Sequence, residues 1–148
     1  AVLPKLLYGL AAVWLNTSER RRLNGFQNRC LRGIWGIKPA FISRVSNARV
    51  LEVTQKTNYQ KFEKQQLLLY GKVARQSVGS LMRDSTFCPG SLRPAVDRFV
   101  RKVGRSRLDW TSEVGKLAVQ AAGGLRQLDT EIENASSWRQ IVEAFIHR

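Results

Sequence analysis

A chain of 148 residues suffices for one domain, or for one domain with an appendage, and a hydrophobic content of 43% beside 24% charged residues excludes wholesale disorder. Lys and Arg number 25 against 11 Asp and Glu, and a net charge of +14 on so small a body calls for a polyanionic partner, nucleic acid ahead of an anionic membrane surface. No apolar run approaches the ~18 residues of a membrane span, no signal peptide pattern opens the chain, and Cys30 and Cys88 lie 58 positions apart without a second Cys or His nearby, which excludes a zinc pattern and reads as a core thiol and a loop thiol in a reducing compartment.

Val2 to Leu15 is nearly uncharged, and Pro4 suits the first turn of a helix burying Leu6, Leu7, Leu10, Val13 and Trp14. The chain opens on Ala1 directly inside this apolar segment, which reads as a piece of something longer. The stretch from Asn16 to Gly36 is the organising element. Leu23, Phe26, Cys30, Leu31 and Ile34 recur at helical spacing and predict a buried stripe, while Arg20, Arg21, Arg22, Arg29 and Arg32 fall on the other side. Asn16, Thr17 or Ser18 can cap the start, and Gly36 can supply the left-handed residue that ends it. Guanidinium groups held at a fixed pitch could form a phosphate-binding ridge, because each pairs bidentately with phosphate oxygens; the competing reading is a solvated surface whose arginine stems cover apolar neighbours.

Ile37 to Ser46 reads as a connection, Asn47 to Thr54 as a short helix anchored by Val50 and Leu51, and Tyr59 to Gln76 as a long helix with Lys61, Lys64, Lys72 and Arg75 on its polar side. Residues 1–77 thus predict a small antiparallel helical bundle. Residues 78–107, interrupted by Gly79, Pro89, Gly90, Pro94 and Gly104, read as a basic linker that gathers Arg93, Arg98, Arg101, Lys102, Arg105 and Arg107, with at most one helical turn near Val96 to Val103. Residues 108–148 predict a C-terminal helical pair: one helix after Trp110, capped by Thr111 or Ser112 and stopped by Gly123 and Gly124, and a last one opened by Asn134, Ser136 or Ser137 with Trp138, Ile141, Val142 and Phe145 on one face. Residues 1–107 hold 21 basic and 5 acidic side chains, residues 108–148 only 4 and 6, so the tail has a different task from the rest.

No catalytic or metal site is expected. The only histidine, His147, sits one residue from the end, Asp84, Asp97 and Asp109 are scattered, and no Gly-rich phosphate loop occurs. The chain by itself is therefore expected to be no enzyme and to take neither a cofactor nor a small-molecule substrate.

The succession Leu3-Pro4-Lys5-Leu6-Leu7-Tyr8-Gly9, Trp14, Arg21-Arg22-Leu23, Phe26-Gln27-Asn28-Arg29-Cys30-Leu31-Arg32, Ile34-Trp35-Gly36-Ile37, then Gln66-Leu67-Leu68-Leu69-Tyr70-Gly71, Gly104-Arg105-Ser106-Arg107 before Trp110, and Trp138-Arg139 resembles the region downstream of the palm in reverse transcriptases of non-LTR (LINE-type) retrotransposons. The chain departs from that pattern at Ala12, Lys72 and Ser106, and it lacks the catalytic Tyr-x-Asp-Asp box. The resemblance implies a thumb-like bundle that grips RNA or an RNA/DNA hybrid in an intracellular setting, nuclear or cytoplasmic, beside palm and fingers whose parent RNA-directed DNA polymerase would need Mg. The residues expected to contact phosphates are Arg20, Arg21, Arg22, Arg29, Arg32, Lys61, Lys64, Lys72, Arg75, Arg101, Arg105 and Arg107. Two other readings stay open: a helical interaction module docking through Trp138, Ile141 and Phe145, and a remnant of a dead element.

Overall fold

A computed structural model describes residues 9–52, 58–95 and 109–147. Among them are eight α-helices, α1 (Thr17–Ile34), α2 (Ala40–Ser43), α3 (Asn47–Glu52), α4 (Asn58–Ala74), α5 (Leu81–Thr86), α6 (Trp110–Ala122), α7 (Leu125–Glu133) and α8 (Ala135–Ile146). The class is all-α, and the one β feature among the described residues is an isolated antiparallel bridge between Phe87 and Pro94. The chain divides into two compact units, Leu15–Phe62 and Ala1–Trp14 with Glu63–Arg148.

In the unit Leu15–Phe62, α1 starts on a reciprocal capping box: Asn16 Oδ1 accepts from the Glu19 N–H at 3.0 Å, and the Glu19 carboxylate accepts from the Asn16 N–H at 2.7 Å. It ends as the sequence predicts, with Gly36 at φ 63° and the Ile37 N–H donating back to the Arg32 carbonyl at 2.8 Å, a Schellman closure. The helix packs on α3, but through a flank the apolar spacing did not predict. Gln27, Asn28 and Arg32 are its buried residues, Leu23 and Leu31 are half-buried, and Phe26, Cys30 and Ile34 are exposed, Ile34 at 76%. The expected buried stripe is corrected accordingly, and Cys30 is a surface thiol. The polar flank turns inward because Arg32 has a network of acceptors there. Among the described residues, the buried apolar side chains of this unit are Val50 and Phe62.

The other unit has the larger core. Leu67, Tyr70, Val73, Phe87, Val114, Leu128, Ile132, Trp138, Val142 and Ile146 are buried in one cluster, each fully buried aliphatic or aromatic side chain contributing about 1.5–3 kcal/mol. Trp138 of α8 is buried against α4, with its indole Nε1–H donating to the Leu67 carbonyl at 2.9 Å. That approach requires a glycine at 71, since a Cβ there would overlap Trp138 Cδ1 and Nε1. Tyr70 meets Phe87 edge to face at 5.3 Å between ring centroids. Burial, with a smaller contribution from the Asp129 charge, pushes its phenol up to about 12.

Residues before α1 do not continue a helix to Leu15 as the apolar run suggested; Gly9 takes a left-handed conformation, Leu10–Ala12 forms one 3-10 turn, and Val13 is extended. This segment is tied to its unit by the Trp110 indole, which donates to the Ala11 carbonyl at 2.7 Å, and by Gln66 Nε2, which donates to the Val13 carbonyl at 2.8 Å. Three further elements went unpredicted, the first being α2 within the stretch Ile37 to Ser46 read as a connection. Helix α5 occupies part of the stretch read as linker, and the acidic stretch after Gly124 is α7, so the described C-terminal region is three helices where a pair was expected. The cap of α6 is Asp109, not Thr111 or Ser112 as expected; its carboxylate accepts from the Ser112 N–H at 3.0 Å, and of the three residues expected to open α8 it is Asn134 that caps it. The helical turn expected near Val96 to Val103 lies outside the described residues.

Candidate nucleic-acid interface

Five arginines define the expected ridge on α1, and the structure separates them. Arg21, Arg22 and Arg29 are exposed. Arg22 and Arg29 are seven residues apart, two helical turns, and therefore stand in line on one side roughly 10 Å from each other along the axis. Phe26, exposed, lies between them on the same side. Arg20 is half-buried and its Nε–H donates to the Leu15 carbonyl at 2.8 Å, which holds its stem against the start of the helix.

Arg32 leaves the ridge. It is 7% exposed, and its guanidinium donates to the Lys38 carbonyl at 2.9 Å, the Val45 carbonyl at 2.6 Å, Asn47 Oδ1 at 3.0 Å and Ser43 Oγ at 3.4 Å. A planar fork of five N–H donors suits this task and an ammonium does not. Its charge serves the fold by fastening residues 38–47 to the C-terminal turns of α1, and a phosphate has no access to these donors. This is a correction, with a plain physical reason: buried carbonyls need donors more than the surface needs another cation.

The expected contacts on α4 are of mixed character. Lys61 is half-buried and Lys72 exposed. Lys64 forms an ion pair with Glu143 of α8. Arg75 Nη1 donates to the Ile132 carbonyl at 2.9 Å near the end of α7, so its head is engaged although much of its stem is exposed. Arg83, not among the expected contacts, closes the C-terminal end of α4 by donating to the Ala74 and Gln76 carbonyls. Arg101, Arg105 and Arg107 lie outside the described residues.

Four cations of the unit Leu15–Phe62 were not singled out from sequence, of which Lys56 lies outside the described residues. Lys38, Arg44 and Arg49 are all exposed. Arg44 ends α2 in the left-handed conformation at φ 56°, with its N–H donating to the Ala40 carbonyl at 2.9 Å. The signal that could have found them is their number: residues 15–62 carry ten Lys and Arg against Glu19 and Glu52.

Among the described residues no three His, Cys, Asp or Glu side chains converge on one point, and no described helix is long and apolar enough to cross a membrane. The stripe of Trp138, Ile141 and Phe145 is directed into the unit that holds it, Trp138 being fully buried and the other two packed against the core cluster. No family model, curated protein or solved structure matches the chain.

Proposed function

We propose that this chain is a nucleic-acid-gripping helical module, the thumb and connection segment of a non-LTR retrotransposon reverse transcriptase, which contacts the phosphates of an RNA/DNA duplex without reading its sequence. The observation that carries this reading is the unit Leu15–Phe62, where ten cationic residues meet two acidic ones and Arg21, Arg22 and Arg29 reach solvent from a helix fixed at both ends. Guanidiniums on a rigid helix contact phosphates at low cost in side-chain order, and their effect is electrostatic and independent of base identity. The parentage rests on the succession of motifs from Leu3 to Arg139.

Fluorescence anisotropy on a labelled RNA/DNA hybrid across a salt series tests the reading. About four phosphate contacts predict a log-log slope between roughly −3 and −4, since each contributes about −0.9 on a duplex. Arg22→Ala combined with Arg29→Ala is expected to make the slope shallower by about two and to weaken binding at low salt by more than tenfold. The matched change Lys116→Ala with Arg126→Ala is expected to leave both nearly unchanged. Equal losses from the two pairs would remove the ridge from the mechanism.

A further inference from the structure

Beyond the arginine ridge, the same unit carries a second exposed surface of different chemistry. Trp35 is 55% exposed and Phe41 85% exposed, with Ile42 exposed beside Phe41 in α2. Trp35 caps the C-terminus of α1, and Arg32, one turn earlier, fastens residues 38–47 through the Lys38 and Val45 carbonyls, Ser43 and Asn47, so Trp35 and the segment that carries Phe41 are both anchored at that end of the helix. Lys38 and Arg44, both exposed, flank Phe41 in the fastened segment. Arg44 holds the left-handed conformation that ends α2.

Flat aromatic faces and cations side by side restrict what can cover them. A base-paired duplex offers phosphates but hides its base faces, and an acidic helix offers carboxylates but few flat faces. A single strand of nucleic acid offers both, phosphates for Lys38 and Arg44 and unstacked bases for Trp35 and Phe41. We propose that the C-terminal end of α1 and the following turn form a stacking platform for single-stranded RNA or DNA, separate from the ridge of Arg22 and Arg29. The inference rests on the nucleic-acid reading above and adds to it: the ridge holds duplex, the platform an unpaired strand.

The test compares two oligonucleotides of equal charge, a dodecamer of deoxythymidine and its abasic counterpart, with the full chain. Trp35 is the one exposed tryptophan of the four, Trp14 and Trp110 being half-buried and Trp138 buried, so stacking on it is read directly as quenching of indole emission. The thymidine strand is expected to quench and to bind about tenfold or more tighter than the abasic strand. Trp35→Ala and Phe41→Ala are each expected to bring thymidine affinity close to the abasic value, with the circular dichroism spectrum and melting temperature unchanged because both side chains are at the surface. Equal affinity for the two strands, with duplex still bound in a salt-dependent way, overturns the platform and leaves the ridge standing. No binding of strand or duplex at low salt overturns both.

Discussion

The Arg32 guanidinium donates to four acceptors spread over residues 38–47, two of them main-chain carbonyls. Truncation would take this donor from the Val45 carbonyl and leave the Lys38 carbonyl with only the Ser43 hydroxyl, at 2.9 Å, which loosens the turn. Hydrogen bonds from charged groups contribute about 1.5–3 kcal/mol each and do not add within one network. Arg32→Ala is therefore expected to lower the opening free energy of residues 17–34 by about 3 kcal/mol, measured by amide hydrogen exchange under native conditions. Arg32→Lys is expected to restore less than half of this, because an ammonium at the end of a flexible stem cannot reach both sides of the turn in one plane. Full recovery by lysine would mean that charge alone, and not the fork, holds the segment. At this scale the sequence misled on Arg32: its helical position matched the exposed arginines closely enough to be grouped with them, and nothing in the local pattern shows that carbonyls six and thirteen residues away await a donor.

Packing between elements is decided at a few places, and Gly71 is the clearest. The indole of Trp138 rests where a Cβ would be, and its N–H reaches the Leu67 carbonyl one turn earlier on the same helix. Gly71→Ala forces α8 away from α4 and is expected to cost about 2–3 kcal/mol in urea unfolding. Combining it with Trp138→Phe, which removes the overlapping ring edge together with the hydrogen bond, is expected to destabilise by less than the sum of the two single changes. Strict additivity would show that the two residues do not share the contact. Most helix ends were legible in the sequence, since Asn16, Gly36, Gly123 and Asn134 act through local chemistry that neighbouring residues determine, while at α6 the cap is Asp109 and not Thr111 or Ser112. Helix faces were less so. The apolar spacing of Leu23, Phe26, Cys30 and Ile34 marks a stripe, but which side is buried depends on partners distant in the chain, and the flank bearing Gln27, Asn28 and Arg32 was chosen. For α7 the signal was present and overlooked: Leu125, Leu128 and Ile132 recur at helical spacing under the acidic residues, with Leu128 and Ile132 buried.

Across the molecule, charge and core are divided between the two units. Leu15–Phe62 holds ten of the 25 basic residues and only two acidic ones, and among the described residues its buried apolar side chains are Val50 and Phe62. The other unit contains the large cluster around Trp138 and Tyr70. Its two chain segments meet where Gln66 Nε2 donates to the Val13 carbonyl at 2.8 Å, so Trp14 and Glu63 leave and re-enter within a short gap. Replacing residues 15–62 by a linker of about six Gly and Ser residues, long enough to span ~20 Å when extended, is expected to leave the remaining helices folded, with a cooperative thermal transition and tryptophan emission still typical of a buried indole. The shortened chain is expected to lose high-affinity binding of the RNA/DNA hybrid. An unfolded product would show that the large core depends on the excised segment.

The Gln66 to Val13 tether also bears on how such a chain can change over time. An excursion whose two ends are pinned together adds little closure entropy as it lengthens, about 0.6 kcal/mol per doubling. Changes in the length of chain between Trp14 and Glu63 are therefore cheap in closure entropy, and the strength of the grip can be retuned there at little cost in loop closure.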